Sequence, residues 1–144
     1  MKRNIRRIVD ANFNRSREGL RVCEDIARFF LNSPALTKSL KSVRHSISGI
    51  AKMHYAKTGS ISESRDAKND VGRRVKEPAE MKRTDVLDIF SANAERAKES
   101  IRVLEEFYKL IDNKQSSKFS RLRYRMYEIE KKAARSIEAM PAAT

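Results

Sequence analysis

The side chains of this sequence that could do chemistry are polar residues that occur twice. Residues 8–30 and 89–111 share eight identical positions at an offset of 81, and five of the eight carry amide or charged side chains. These five pairs are Asn12/Asn93, Arg15/Arg96, Glu18/Glu99, Arg21/Arg102 and Glu24/Glu105. A repeat retained only for its fold would share mainly apolar positions, so the shared amides and charges indicate a candidate site that is suited to anions.

Helical periodicity of the apolar residues predicts the elements that carry these side chains. The first hairpin is predicted over residues 4–57, with Ser33 and Pro34 starting its second helix, and the second hairpin over residues 84–138. Residues 58–83 are polar and lack periodicity, as in a long functional loop. We therefore expect one all-α domain of 144 residues, a duplicated helical hairpin that forms a four-helix bundle with a pseudo-two-fold axis.

A helical wheel of the first and third helices places the shared asparagines inward. Asn12 falls inside the apolar stripe of its helix with Arg15 beside it, and Asn93 and Arg96 repeat this arrangement, whereas Glu24 turns mostly outward. Inward polar groups need space and hydrogen-bond partners. We therefore predict a polar pocket at the N-terminal ends of the first and third helices.

The long loop and His54 are predicted to complete this pocket. In an antiparallel bundle the loop would leave the second helix and enter the third at the same end, so it could close over the pocket. It carries Arg65, Asp66 and Asp70, which could bind phosphate and Mg²⁺. His54 is expected to lie inward on the second helix, level with Asn12.

Each of these features also has a simpler interpretation. The two asparagines could be core amides that hydrogen-bond to each other and fix the register. The shared charges could form ordinary ion pairs between residues three apart, such as Arg15 with Glu18 and Glu18 with Arg21. Asp66 and Asp70 could be simple turn residues.

The charge of the chain favours anionic partners but does not choose among them. With 32 Lys and Arg against 19 Asp and Glu, the net charge is +13, which suits nucleic acid, nucleotides and other phosphorylated metabolites. The sequence contains no GxxxxGKS/T phosphate loop, GxGxxG motif, HExxH motif or zinc-binding cysteine pair. Cys23 is predicted to be a small core residue. Since neither a signal peptide nor a membrane span is expected, the cytoplasm is the expected compartment.

Four segments in order carry a resemblance to a known family: DANFNRSREGLRVCEDIARF, RDAKNDVG, SANAERAKESIRVLEEFYKL and SRLRYRMYEIEK. They resemble the monofunctional hydroxymethylpyrimidine-phosphate kinases of thiamine biosynthesis, a family whose module also precedes some thiamine-phosphate synthases. The resemblance implies an enzyme that transfers a phosphoryl group from ATP, with Mg²⁺, to hydroxymethylpyrimidine phosphate. It also implies the free-standing form, without a synthase barrel. Ser16 and Cys23 stand where the family is expected to have alanine and a larger aliphatic residue.

On this resemblance, the candidate residues take roles in phosphoryl transfer, which needs positioning, metal and fixed positive charge. Guanidinium groups would bind phosphates, carboxylates would orient them or hold metal, and amides would hydrogen-bond the pyrimidine or sugar. The residues are Arg15 and Arg96 for phosphate, Glu18 and Glu99 for orientation, Asn12, Asn93 and His54 for substrate and nucleotide, Arg44, Arg65 and Arg123 for the remaining phosphate charge, and Asp66 and Asp70 for Mg²⁺. Asp66 is also the preferred general base.

Two other functions are compatible with the sequence. A non-catalytic helical module that docks on a thiamine-phosphate synthase, or delivers substrate to it, would bind the pyrimidine phosphate without consuming ATP. A basic helical nucleic-acid binder would lose affinity steeply with salt, although no recognised binding motif supports it. A homodimer with the pocket between two chains predicts the same sequence pattern.

Overall fold

Four long α-helices form the protein in the computed structural model, which describes residues 2–59, 70–74 and 82–141. The helices are α1 (Arg3–Asp25), α2 (Pro34–Thr58), α3 (Val86–Tyr108) and α4 (Asn113–Glu138), with a π-helical turn at Ile26–Phe30 and a 3₁₀ turn at Val71–Arg74. No strand occurs in these residues. The prediction of an all-α fold built from two helical hairpins is confirmed.

Short local signals set the ends of α2. Ser33 accepts a hydrogen bond from the backbone N–H of Leu36 at 3.2 Å, and Pro34 occupies the first helical turn, where its missing N–H is not needed. Gly59 ends the helix with a φ of 92°, a left-handed conformation that only glycine adopts at little cost. The predicted start of this helix is confirmed.

α1 and α3 lie antiparallel to each other at the centre of the bundle. Near the C-terminal end of α1, Sγ of Cys23 lies 3.7 Å from the carbonyl oxygen of Phe90 in the first turns of α3. Further towards the N-terminus of α1, the ring of Phe13 packs against Tyr108, the last residue of α3, at 6.2 Å between centroids. The pseudo-two-fold axis is therefore perpendicular to the helices. The prediction that the N-terminal ends of the first and third helices lie together is wrong.

Each hairpin is antiparallel, so α2 and α3 run in the same direction. Tyr55, near the end of α2, donates a hydrogen bond to Asp10 in the first half of α1. Arg44, in the first half of α2, donates to Glu24 at the end of α1. The chain between α2 and α3 must therefore connect opposite ends of the bundle, about 35 Å apart for helices of this length. The prediction that this segment leaves α2 and enters α3 at the same end of the bundle is therefore wrong.

The crossing of α1 and α3 leaves no room for a side chain at Gly19. A Cβ atom there would lie 2.7 Å from the carbonyl oxygen of Asn93 and 3.3 Å from the backbone nitrogen of Ala97. Glycine is therefore required for this close approach, although it lowers helix stability by about 1 kcal/mol relative to alanine.

Gly19→Ala should lower the free energy of unfolding by about 1 to 3 kcal/mol, because the added methyl group would force the two central backbones apart. Gly49→Ala is the matched control, since a Cβ atom at this exposed position of α2 would meet no neighbour within 4 Å. The control should gain about 0.5 to 1 kcal/mol from helix propensity. Urea unfolding followed by circular dichroism measures both, and equal gains would contradict the close packing at the crossing.

The interior around this crossing is mainly apolar and includes the single cysteine. Cys23 is fully buried, and burial raises the pKa of its thiol to about 12, so it is a protonated core residue as predicted. Over the part of the chain that the structure describes, no helix combines the length and the apolarity needed to cross a membrane.

Candidate functional site

A buried glutamate joins the two helices of the first hairpin. Glu24 is 3% exposed, and Arg44 of α2 donates to both of its carboxylate oxygens, through Nε at 3.1 Å and Nη2 at 3.2 Å. Arg21 donates to the same carboxylate from Nη1 at 3.0 Å. The prediction that Glu24 turns outward is wrong, because α2 covers a second face of α1 that lies outside the apolar stripe.

The second hairpin repeats this arrangement with one longer contact. Glu105 is also buried, and it accepts hydrogen bonds from Arg102 at 2.7 Å and from Arg123 at 3.5 Å. A buried carboxylate needs both hydrogen bonds and a compensating charge. The fold therefore explains two of the five shared polar pairs, Arg21/Arg102 and Glu24/Glu105, without a ligand.

Beside the buried glutamate, α1 and α2 form an open groove of about 560 Å³, hereafter the arginine groove. Its lining residues are Asn14, Arg17, Glu18, Arg21, Arg44 and Ser48. On α1, Arg17 and Glu18 each lie three or four positions from Asn14 and Arg21, so the four residues share one helical face, and this spacing is the sequence signal that could have indicated them together. The groove brings together two of the predicted site residues, Glu18 and Arg44.

Positive charge exceeds negative charge in the arginine groove. Three arginines line it, against one carboxylate in its lining and one buried beneath it. Arg17 donates from Nε to the carbonyl oxygen of Phe13 at 3.3 Å and from Nη2 to Oδ1 of Asn14 at 3.0 Å, so both of these partners are neutral. A guanidinium group that no carboxylate compensates binds phosphate oxygens well. The groove is therefore suited to a phosphate-bearing ligand.

The predicted pocket between the two asparagines is not formed. Asn12 is buried and donates from Nδ2 to the carbonyl oxygen of Ile8 at 2.8 Å, and Asn93 donates in the same way to Ile89 at 2.8 Å. Each amide thus bonds to its own helix. The backbone of Asn93 faces Gly19, two helical turns from Asn12, so the two amides neither share a pocket nor hydrogen-bond to each other.

The charged side chains predicted to bind and orient phosphate are exposed. They are Arg15, Glu18, Arg96 and Glu99. In the described ranges, no ion pair joins Arg15 to Glu18, Arg96 to Glu99 or Glu18 to Arg21, because Arg21 pairs with the buried glutamate instead. The expected orientation of the two arginines by these glutamates is therefore not observed, and binding of a ligand by Arg15 and Arg96 stays a prediction.

The metal site predicted in the loop lies mainly outside the described residues, because Arg65 and Asp66 fall there. Asp70 is exposed, and its Oδ1 accepts a hydrogen bond from the backbone N–H of Gly72 at 3.0 Å, as in a simple turn. Among residues 2–59, 70–74 and 82–141, no three histidine, cysteine or carboxylate side chains are placed to hold a metal ion. Binding of Mg²⁺ by Asp66 and Asp70 stays a prediction.

His54 belongs to a buried aromatic cluster and not to the arginine groove. Its ring packs against Phe13 of α1 at 5.6 Å between centroids, and its Nδ1 lies 3.2 Å from the hydroxyl of Tyr108. Burial lowers the pKa of His54, and the charge of Arg6 lowers it further, against a smaller opposite effect of Asp10. His54 is therefore neutral at pH 7. It lies inward on α2 and packs against the residue next to Asn12, as predicted, but it does not line the arginine groove.

Lowering the pH below about 6.5 should destabilise the native protein partly through His54. Above the ordinary histidine pKa of 6.5 the ring is neutral in both the folded and the unfolded state. Below it, the unfolded chain binds the proton first because the folded pKa is lower, so the free energy of unfolding falls. In urea unfolding, His54→Gln should lose less stability between pH 7 and pH 5 than the wild type, and equal losses would contradict a buried neutral histidine.

Several polar residues of the arginine groove and of the aromatic cluster could not be predicted from the sequence. Arg17 and Ser48 line the arginine groove, but their counterparts in the repeat, Lys98 and Tyr127, differ from them, so identity between the copies does not reveal them. Asp10 is buried and accepts a hydrogen bond from a tyrosine hydroxyl of α2. A single acidic residue next to an apolar stripe gives no signal that a partner helix will bury it.

Comparison with known proteins relates most of the chain to one family. The sequence model of the ThiD2 family matches residues 7–132. The thiamine-phosphate synthase of Synechocystis sp. is 40% identical over 126 residues, which cover 88% of this chain and 35% of that protein. That of Rhodopirellula baltica is 38% identical over 136 residues, 92% of this chain and 36% of that protein. The chain thus spans about a third of the length of these relatives. No solved structure matches it.

Proposed function

Because the chain belongs to the ThiD2 family, we propose that it is a phosphotransferase of thiamine biosynthesis that converts hydroxymethylpyrimidine phosphate to its diphosphate with ATP and Mg²⁺. The observation that carries this proposal is the arginine groove, whose surplus of guanidinium groups suits phosphate-bearing ligands. The names of the relatives support the pathway, and the four segments quoted from the sequence support the kinase.

The proposed reaction joins two phosphate groups. An oxygen of the pyrimidine monophosphate attacks the γ-phosphorus of ATP, a new P–O bond forms, and the bond from that phosphorus to the bridging oxygen of the departing ADP breaks. The attacking oxygen is already anionic at pH 7, since the second pKa of a phosphate ester is about 6. The step therefore needs no general base, and Asp66 is not required in that role.

Fixed positive charge in the arginine groove would offset the repulsion between the two anions. Arg17 and Arg21 offer N–H donors from α1, and Arg44 offers them from α2. Glu24 holds Arg21 and Arg44 in place through its hydrogen bonds. Arg15, exposed on the same helix, keeps its predicted role in phosphate binding as part of this proposal.

Mg²⁺ would come to this site with the nucleotide. Magnesium in kinase sites is usually held by substrate phosphates together with one or two carboxylates. We propose Asp66 and Asp70 as the carboxylates, and the bound ion would neutralise charge on the transferred phosphoryl group.

A non-catalytic module associated with a thiamine-phosphate synthase is the second candidate. The relatives favour it, because a segment like this chain makes up only about a third of proteins that are named as synthases. Such a module would bind the pyrimidine phosphate, and ATP would not be consumed.

One assay separates these functions. Purified protein is incubated with ATP, Mg²⁺ and hydroxymethylpyrimidine phosphate, and the products are separated by anion-exchange chromatography. The kinase forms pyrimidine diphosphate and ADP in equal amounts, and ADP appears only when the acceptor is present. No diphosphate with any divalent metal, together with binding of the pyrimidine phosphate, would reject the kinase and support the module. Binding of DNA or RNA that falls steeply with salt would support a nucleic-acid binder instead.

A further inference from the structure

The second hairpin contains a counterpart of the arginine groove that its own side chains occupy. Equivalent positions lie 81 residues apart between α1 and α3 and 79 apart between α2 and α4, as the ion pairs Glu24–Arg44 and Glu105–Arg123 show. By this rule, the counterparts of the lining residues are Glu95, Lys98, Glu99, Arg102, Arg123 and Tyr127.

Lys98, the residue that corresponds to Arg17, is buried in this counterpart and only 6% exposed. Its Nζ lies 4.3 Å from the centroid of the Tyr127 ring, 2.9 Å from Oε2 of Glu95 and 2.9 Å from Oε1 of Glu130. Burial alone lowers the pKa of Lys98, but the hydrogen bonds to Glu130 and Glu95 outweigh that effect, so its pKa is raised. The ammonium group is therefore charged and already compensated by two carboxylates, and it offers little to a further anion.

Three residue differences between the two copies leave the first hairpin without these side chains. Ser48 stands where the second hairpin has a tyrosine, and Asn14 and Ala51 stand where it has glutamates. Compared with the second hairpin, the first hairpin therefore lacks an aromatic ring and the two carboxylates that would compensate the charge of a basic residue. What remains is an open groove of about 560 Å³ and Arg17, whose two hydrogen-bond acceptors are neutral.

We propose that Ser48 keeps the arginine groove open, and that each chain therefore binds one polyphosphate ligand, in the first hairpin only. The choice of a polyphosphate rests on the proposed function, since ATP and a pyrimidine diphosphate share that group. The counterpart in the second hairpin is a structural cluster in which the Lys98 ammonium, the Tyr127 ring and two carboxylates tie α3 to α4.

Isothermal titration with inorganic pyrophosphate at low salt tests this proposal. The wild type should bind one pyrophosphate per chain. Ser48→Tyr should weaken binding at least tenfold, because a ring like the one in the counterpart would occupy the groove. The reverse exchange, Tyr127→Ser, is the matched control and should leave both the stoichiometry and the affinity unchanged. Urea unfolding shows that each variant is folded.

A stoichiometry of two, no binding by the wild type, or unchanged affinity in folded Ser48→Tyr protein would overturn the proposal. If Ser48→Tyr does not fold, Ser48→Asp replaces it, since a carboxylate of little extra volume should weaken binding by a similar factor. Pyrophosphate binding that Ser48→Tyr abolishes, in a wild-type protein that forms no diphosphate product, would reject the kinase and uphold the groove. Diphosphate formation that Ser48→Tyr leaves intact would reject the groove and uphold the kinase.

Discussion

Replacing Glu24 with alanine should lower the free energy of unfolding by about 3 kcal/mol, as measured by urea denaturation at pH 7. The carboxylate is buried between two arginines, and only 15% of the Arg44 side chain is exposed. Without Glu24, the guanidinium group of Arg44 would stay largely inside the protein with no compensating charge. Removing one partner of a buried ion pair is costly for this reason.

Glu18→Ala is the matched control for this variant, because Glu18 lies on the same helix, is exposed and has no ion-pair partner among the residues that the structure describes. Its unfolding midpoint should stay close to that of the wild type. Glu105→Ala should destabilise less than Glu24→Ala, since Arg123 reaches Glu105 through one contact of 3.5 Å. If Glu24→Ala and Glu18→Ala share one midpoint, the buried ion pair does not hold α1 against α2.

Arg17→Ala should reduce kcat/KM for diphosphate formation about 100-fold, the scale expected when a fixed positive group at a phosphoryl-transfer site is lost. Arg17 lines the arginine groove, and the two acceptors that it bonds are neutral oxygens, so its charge is available to a ligand. The measurement is steady-state formation of the diphosphate, with urea unfolding as the check on folding.

Arg121→Ala is the control for the change in net charge and should leave turnover unchanged, because Arg121 is exposed on α4 and does not line the arginine groove. Arg96→Ala distinguishes the two assignments of the site. The arginine groove predicts little effect of Arg96→Ala, whereas the roles inferred from the repeat predict a large one. If Arg96→Ala lowers turnover more than Arg17→Ala does, the groove is not the phosphate site.

The helices could be predicted because their signals are local in the sequence. Ser33 and Pro34 mark the start of α2, and Gly59 marks its end, within a few residues each. An apolar period of 3.6 residues indicates a helix whatever packs against it. The duplication was visible for the same reason, since identity at a constant offset needs no knowledge of the fold.

The direction of α3 relative to α1 could not be predicted in this way. An apolar stripe is buried equally well by a neighbour of either direction, and the long polar segment between the hairpins allows both. Two contacts taken together show the direction: Cys23 lies against Phe90, and Phe13 packs against Tyr108. Both join residues that are far apart in the sequence, and identity between the copies carries no information about them.

The candidate site was predicted only in part, because a helical wheel shows which residues share a face but not which neighbour covers it. Glu24 lies outside the apolar stripe and is nevertheless buried, since α2 supplies Arg44 as its partner. The arginine groove depends on Arg17 and Ser48, which differ from their counterparts in the second hairpin. Three other lining residues, Glu18, Arg21 and Arg44, are identical in the two copies, so identity alone does not distinguish the groove from its counterpart.

The perpendicular pseudo-two-fold axis makes the two hairpins meet as identical subunits meet in a symmetric dimer, with equivalent faces of α1 and α3 in contact. A covalent link between such partners acts chiefly by raising the effective concentration of one near the other, typically to about the millimolar range. A single cut in the chain between Gly59 and Lys82 would therefore turn an intramolecular interface into an intermolecular one. The stability of the cut protein would then depend on its concentration, as that of an obligate dimer does.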